Sequence, residues 1–466
     1  MAKTGKQSSS KAERKQKDRA KLKQSDCTLG LSVVHPKAAG IDVGNEEHYV
    51  AIPPSFDPEP VRKFGCFTEN LIALADWLRQ KGIDTVALQS TGVYWIGLYD
   101  ILSQRGIKVF VVNARDTKNM PGRKSDVQEC QWLLKLHVYG LLKNSFRPDE
   151  QICVLRTLWR QRQQHVADGA RCVQHMQKAL TQMNVHLANV ITDLSGWTGQ
   201  SIIQAILDGE RDARKLAELR DPRVKASPEV IAKSLQGNWR RELLFVLGQE
   251  FEGYKGLQKR IAECDRELHE QMRRMEQKAD PDSLEPPPRN KRANGNIPEN
   301  FDLRKEAYRI MGVDLTKVDG INVLTAQTIL AEIGSNVRSW ETEERFVSWL
   351  NLAPNNRISG GKVIGRDKRK VVNRAGQALR QAASTLLRSQ TYLGAQYRRL
   401  RTKLGSPKAI KAMANRLARI VYRLLKFGEQ YVDKGSEVYE QKYHQQQVKM
   451  LTKRAAELGL KLVECA

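Results

Sequence analysis

Three acidic side chains and one serine carry the chemistry this chain could perform. Asp42 lies in an alternating apolar stretch, AGIDVGNEEHYVAI, and Asp126 and Glu129 lie in KSDVQECQWL. Carboxylates are hard oxygen donors, and a set of them suits a divalent cation that grips the nonbridging oxygens of a phosphate. Ser359 lies far downstream in PNNRISGGK, between Arg357 and Lys362 and just before two glycines. A hydroxyl framed by positive charge, on backbone that permits close approach, suits attack on that phosphate. Positive charge on the oxygens, a nucleophile in line and a stabilised leaving group are what transfer of a DNA strand requires. Plainer roles compete at each position. Asp126 could cap a helix that begins near Val127, with Glu129 as its capping-box partner. Most Ser-Gly-Gly segments are turns whose hydroxyl bonds its own backbone, and no histidine stands beside Ser359 in sequence to activate it.

The elements that must position the acids are legible in the pattern from Ala38 onward. Short β-rich runs at Ala39–Val43, His48–Pro53 and Arg62–Phe67 precede a helix at Glu69–Lys81, where Leu71, Leu74, Ala75 and Leu78 recur at helical spacing. A strand at Thr85–Leu88, a helix at about Tyr94–Arg105, a strand at Lys108–Val112 and a helix from Ser125 to about Leu142 complete the order β-β-β-α-β-α-β-α. That order is the one found in the ribonuclease H-like nuclease core. There, acids on the first strand, at the end of the fourth and on the last helix converge on metal ions. Asp42 holds the first-strand position, and Asp126 with Glu129 share one face of the last helix by their i, i+3 spacing. Gln89 holds the fourth-strand position. Its amide oxygen can ligate a cation but brings no charge, so either affinity falls or a neighbour such as Glu46 or Glu47 compensates.

Composition narrows the partner. With 78 Lys and Arg against 52 Asp and Glu in 466 residues, the formal charge of +26 points to a polyanion, nucleic acid before an acidic membrane surface. No apolar run approaches bilayer-spanning length, and the lysine-rich start carries no hydrophobic stretch of a secretory signal. The seven cysteines are scattered without a CxxC pair, as expected of reduced thiols in a cytoplasmic protein.

Domain organisation follows from shifts in pattern. Residues 1–32 read as a basic arm and 33–150 as the acid-bearing α/β domain. Residues 151–279 are helical in pattern. VLRTLWRQRQQHVADGARCVQHMQKALTQMNVHL and Tyr254–Lys278 predict two long amphipathic helices paired as a coiled-coil arm, with a helix, glycine turn, helix pattern in DLSGWTGQSIIQAIL between them. The PPP-bearing stretch 280–302 reads as a linker. Residues 303–432 read as a helical domain around the serine loop, and 433–466 as a polar helix or tail. GVDLTKVDGINVLTAQTILAEIG predicts a helix-hairpin-helix-like unit whose turn, at Gly320 and Asn322, could aim backbone N–H groups at a phosphate. Arg366, Lys368, Arg369, Lys370 and Arg374, close to the serine, and the basic helices that follow up to Arg423 read as phosphate contacts. The fold class is thus multidomain, α/β followed by all-α.

GIDVGNEEHYVAI, STGVYWIGLYDIL, VNARDTKNMPGRKSDVQECQWLLKLHVYGLLKNSFRP, VDGINVLTAQTILAEIG and PNNRISGGKVIGR, taken in order, resemble transposases of the IS110 family, specifically its IS1111 branch, from about Val33 to Phe427. The resemblance implies a RuvC-like acidic domain, a coiled-coil arm and a C-terminal transposase domain with a nucleophilic serine. The family's Asp, Glu, Asp, Asp motif falls on Asp42, Gln89, Asp126 and Glu129, departing at two positions, and its serine falls on Ser359. It further implies Mg²⁺ at Asp42, Asp126 and Glu129, donor and target DNA, a noncoding bridge RNA that pairs with both, and dimers that assemble into tetramers on the prokaryotic nucleoid. Two rival readings remain open: a metal-dependent junction nuclease that uses water, with Ser359 structural, and a noncatalytic scaffold for RNA and DNA.

Overall fold

The computed structural model describes residues 32–90, 92–113, 125–287, 295–366, 373–428, 435–461 and 463, with the side chain of Arg366 left out. Its contacts divide it into two compact units, Met1–Arg147 and Pro148–Ala466. The expected basic arm, but for its last residue, and the phosphate-contact positions Lys368, Arg369 and Lys370 lie outside the described residues.

The first unit is built on β1 (Ala38–Val43), whose residues are buried except for Asp42. A strand covered on both faces belongs in the middle of a sheet. β2 (Glu47–Ala51) pairs with it antiparallel through a tight turn, β3 (Val61–Gly65) extends that side, and β4 (Thr85–Gln89) and β5 (Lys108–Val112) add in parallel on the other. The sheet order is β3-β2-β1-β4-β5. Ala39, Ile41 and Val43 join Val86, Leu88, Val109 and Val111 in a core beneath α1 (Thr68–Gln80) and α2 (Trp95–Gln104). The opposite face, with Ala87 and Val112, packs on Leu133 of α3 (Asp126–Val138). The anticipated β-β-β-α-β-α-β-α order is therefore found, with ends shifted by a residue or two. The exception is α3, which stops at Val138 instead of near Leu142; Gly140 follows with φ of +66°, a left-handed conformation that ends helices.

The second unit opens with α4 (Glu150–Gln182), paired along its length with α8 (Arg241–Arg273). α8 begins well before the expected Tyr254. It runs through Gly253, where an added Cβ would meet Cys172 Sγ of α4 at an ordinary contact distance of 3.7 Å, so the helix continues there without strain. Between the long helices the chain forms more than a helical turn. α5 (Trp197–Leu207), α6 (Ala213–Glu218) and α7 (Pro228–Ser234) make a head with its own core, including Leu180, Leu187, Ile203, Leu216, Ile231 and Phe251.

The arm is not separable from the helices that follow, α9 (Leu303–Met311) and α10 (Val323–Ile333). Arg160 makes a two-pronged ion pair with Glu332 at 2.8 and 2.7 Å, and Trp159 Nε1 donates to Thr328 Oγ1 at 3.1 Å. Buried Arg309 donates to the carbonyls of Met272 and Met275 at the end of α8. α11 (Glu343–Trp349), β6 (Asn356–Ser359), β7 (Lys362–Arg366), α12 (Arg374–Thr385), α13 (Tyr392–Leu404), α14 (Ser406–Phe427) and α15 (Gly435–Glu457) complete the unit. Among the described residues no helix is long and apolar enough to cross a membrane.

Within the arm, Arg162 and Asp265 are both buried and paired across the α4–α8 seam through two N–H···O contacts. Removing one member leaves the other charge uncompensated in a low-dielectric interior. Arg162→Ala should therefore cost about 3–5 kcal/mol of stability in urea unfolding, and Arg162→Leu with Asp265→Leu much less; equal losses in the two variants would show that packing volume, not charge, holds this layer.

Candidate active site

Gly40 and Asp42 stand two residues apart on β1 and so point to the same side of the sheet, the side covered by α3. At Gly40 the helix comes so close that a Cβ would lie 2.8 Å from Leu134 Cα, and nearer still to Leu134 N and Cys130 O. Only glycine admits that approach. The far end of α3 is pinned where Thr85 Oγ1 and His137 Nε2 meet at 3.0 Å. Burial, with Lys108 and His35 nearby, holds the His137 imidazole down at about 4, so the pin is a neutral hydrogen bond. Threaded between these two points, α3 delivers its first turn to the carboxyl end of β1.

In that first turn the cap is Ser125, whose hydroxyl accepts from Gln128 N at 3.4 Å. Asp126 follows the cap and Glu129 lies beyond the capping-box position, which Gln128 fills, so the two carboxylates are free of the capping role that would otherwise explain them. Both act on Asp42. Its carboxyl is raised to about 6, first by burial, then by the charges of Glu129 and Asp126. The Cys130 thiol beneath them is pushed up to about 12 by burial and by Asp42 and Asp126. The structure thus brings together the three acids expected to hold a cation.

Gln89 joins them by register. Parallel pairing of Gly40 with Ala87 and Ile41 with Leu88 brings Gln89 level with Asp42 on the α3 side, only 6% exposed. Glu47 does not supply the charge that Gln89 lacks. Its carboxylate is held by Lys63 at 2.8 Å and accepts from Tyr49, which keeps it below its ordinary range. Among the described residues no three acid, histidine or cysteine groups are drawn in to ligating distance of one point, and Asp42, Asp126 and Glu129 share a field more than a coordination sphere. The donor chemistry nonetheless fits a hard divalent cation: three carboxylates, two of which raise the third by their charge.

Ser359 belongs to the second unit, and its surroundings differ from those expected of a loop among helices. β6 and β7 form an antiparallel hairpin in which Ser359 pairs with Lys362 across a two-residue turn. Gly360 and Gly361 have φ of +54° and +75°, the positive pair that a tight hairpin turn of this hand demands. Ser359, Arg357 and Lys362 are exposed at this tip, and Arg374 is exposed at the start of α12.

The helix-hairpin-helix-like turn is used largely by the protein itself. A Cβ on Gly320 would lie 2.7 Å from Ala382 O of α12, and Asn322 caps α10 by accepting from Thr325 N at 2.8 Å. Several arginines read as phosphate contacts are likewise engaged: Arg419 and Arg423 with Glu343, Arg399 with Glu440, and Arg380 with the Asn351 carbonyl. Sequence reasoning passed over Gly40. The signal was present in Ala38 and Gly40, small residues at alternating positions ahead of the acid, but small residues announce close packing only once a partner is known.

Because Asp42 holds its proton more tightly in the fold than an ordinary aspartate, its ionised form opposes folding, and the cost grows as pH rises from about 4 to about 6. Asp42→Asn should raise the melting temperature of the divalent-free protein at pH 8 by a few degrees, with the gain fading toward pH 4. The same gain at both pH values would mean that charge at Asp42 is not its source.

Comparison with known proteins agrees with this geometry. Residues 39–185, from β1 through α4, match the DEDD transposase family of IS110 elements, and residues 314–398, which include α10 and the serine hairpin, match the transposase IS116/IS110/IS902 family. No curated protein matches the chain. The acid cluster and the serine hairpin each fall inside a matched region, and both matches are to domains of IS110 family transposases.

Proposed function

We propose that this chain is a transposase that cuts and rejoins donor and target DNA through a covalent phosphoserine at Ser359, with the acids of the first unit holding the cation that the chemistry uses. The observation that carries the reading is the convergence of Asp42, Asp126 and Glu129 at one end of the sheet, in a chain whose second matched region presents an exposed serine beside a tight glycine turn. The sheet order β3-β2-β1-β4-β5 with β2 antiparallel supports a ribonuclease H or RuvC-like core. Mg²⁺ held by Asp42, Asp126 and Glu129 would neutralise charge on the nonbridging oxygens of the scissile phosphate.

The serine Oγ forms a bond to phosphorus as the ester bond to one deoxyribose oxygen breaks, and that oxygen leaves as a hydroxyl carrying the proton the serine gives up. Attack by the hydroxyl of the incoming strand reverses the step, restores the serine and conserves the number of phosphodiester bonds. Lys362, across the turn from Ser359, and Arg357 on the same hairpin are placed to hold the phosphate. The resemblance to the IS1111 branch supports guidance by a noncoding bridge RNA and action as dimers that assemble into tetramers. The surplus of basic residues suits a protein that holds RNA and DNA together.

A hydrolytic junction nuclease is the second reading, favoured by the absence of a histidine beside Ser359 in sequence. Wild-type protein, purified with its RNA from a cell carrying the complete element, should trap a protein–DNA adduct that maps to Ser359 by mass spectrometry. Ser359→Ala should lose adduct and cutting together, by about a thousandfold or more. Asp42→Ala should abolish cutting while leaving DNA binding in place. Persistent cutting by Ser359→Ala would assign the chemistry to water.

A further inference from the structure

The hairpin that carries Ser359 is dressed for contact with something other than this chain. Each residue of β6 is exposed, and Ile358, Val363 and Ile364 are 64%, 52% and 69% exposed. Each strand packs chiefly on the other. A two-stranded hairpin alone in water is marginal, and three large apolar side chains on one so small are better explained by a surface that covers them when the protein works. Pairing fixes the sides of two of them: Ile358 faces with Val363, opposite the side shared by Ser359 and Lys362, while Ile364 is the extra residue of a β-bulge facing Arg357 and Ile358.

Resting on the reading of Ser359 as nucleophile, we infer that the β6–β7 hairpin is a two-stranded ribbon that enters a groove of the DNA at the exchange point and wedges its apolar side chains between base pairs there. The serine dictates the occupant. If its Oγ must touch a backbone phosphate, whatever covers Lys362 beside it is that DNA, which then also meets the adjoining Val363 and Ile364, and the cationic Lys362 and Arg357 complement it. Isoleucine and valine have no hydrogen bonds to offer base edges, but they can insert into a base step, where a few kcal/mol of unstacking opens the duplex. The glycine turn, with both residues in the left-handed region, keeps the hairpin tight, so Ser359 and the apolar residues lie within a few positions of each other on one ribbon. A step opened beside the phosphate frees the backbone to present that phosphate in line to Ser359, and loosens the strand that must be exchanged.

The test separates insertion from chemistry. Ser359→Ala protein with its copurified RNA is bound to a duplex that spans the element's end and carries 2-aminopurine beside the exchanged phosphate. Fluorescence should rise severalfold on binding. Adding Val363→Ala and Ile364→Ala should remove more than half of that rise, with an unchanged melting temperature because both side chains are exposed. In otherwise wild-type protein the same two substitutions should slow adduct formation about tenfold on the paired duplex and far less on a duplex mismatched at that step, the order of effect of losing one unstacking contact. Unchanged fluorescence, or an equal loss on both duplexes, would overturn the proposal. A changed oligomeric state with fluorescence intact would overturn it too, by assigning the apolar faces to a second copy. Because the fluorescence arm uses chemically silent protein, a wild type that forms no adduct would count against the nucleophile while a retained 2-aminopurine signal upheld the ribbon.

Discussion

The near contact of two backbones at Gly40 governs the acid site. A helix normally stands off a sheet by the thickness of its side chains, yet here Cys130 and Leu134 reach the strand because there is no Cβ to meet them. With the Thr85–His137 contact fixing the other end of α3, the direction of the helix is settled by two points, and its first turn has one place to go. Asp126 and Glu129 are thereby held against Asp42, at a cost in repulsion visible in the raised Asp42 carboxyl. Burial is the larger cause of that rise and the two neighbouring charges add to it, so the cluster as a whole favours the approach of positive charge.

The second unit solves a different problem. Its arm is joined to the helices around α10 by buried Glu332, met by the partly exposed Arg160, and by buried Arg309 on main-chain carbonyls. Buried charges satisfied in this way tolerate few alternative arrangements, so the arm and the serine-bearing helices form one body rather than beads on a linker. The net positive charge is correspondingly unevenly available. Arg419, Arg423 and Arg399 are spent on acids of the same unit, whereas Lys362 and Arg374 face solvent. A rigid base with an exposed hairpin places rigidity and reach in separate elements.

The order of strands and helices in the first unit was legible because each element carries its own period. Ala39–Val43 and Lys108–Val112 are apolar runs of strand length, and Leu71, Leu74 and Leu78 mark a helical face. Asp42, Asp126, Glu129 and Ser359 could be singled out because carboxylates on ordered elements and a serine before two glycines and between basic residues are unusual enough to question. The head between α4 and α8 was not legible, since short helices without long periodicity look like irregularities in an arm. Nor was the hairpin: Arg357-Ile358-Ser359 and Lys362-Val363-Ile364 are too short to assert a strand, and only their pairing across Gly360 and Gly361 makes them one.

By itself the sequence determined the element types, the acids and the serine as candidates, and the preference for a polyanion, because these depend on residue type and local spacing. Tertiary structure alone decided the rest. It gave the cap to Ser125 and so released Asp126, tied Glu47 to Lys63, set Gln89 level with Asp42, and turned several arginines inward to carboxylates and carbonyls. Each of those outcomes is a choice between partners distant in the chain, and such a choice exists only after the backbone has brought the competitors within reach of one another.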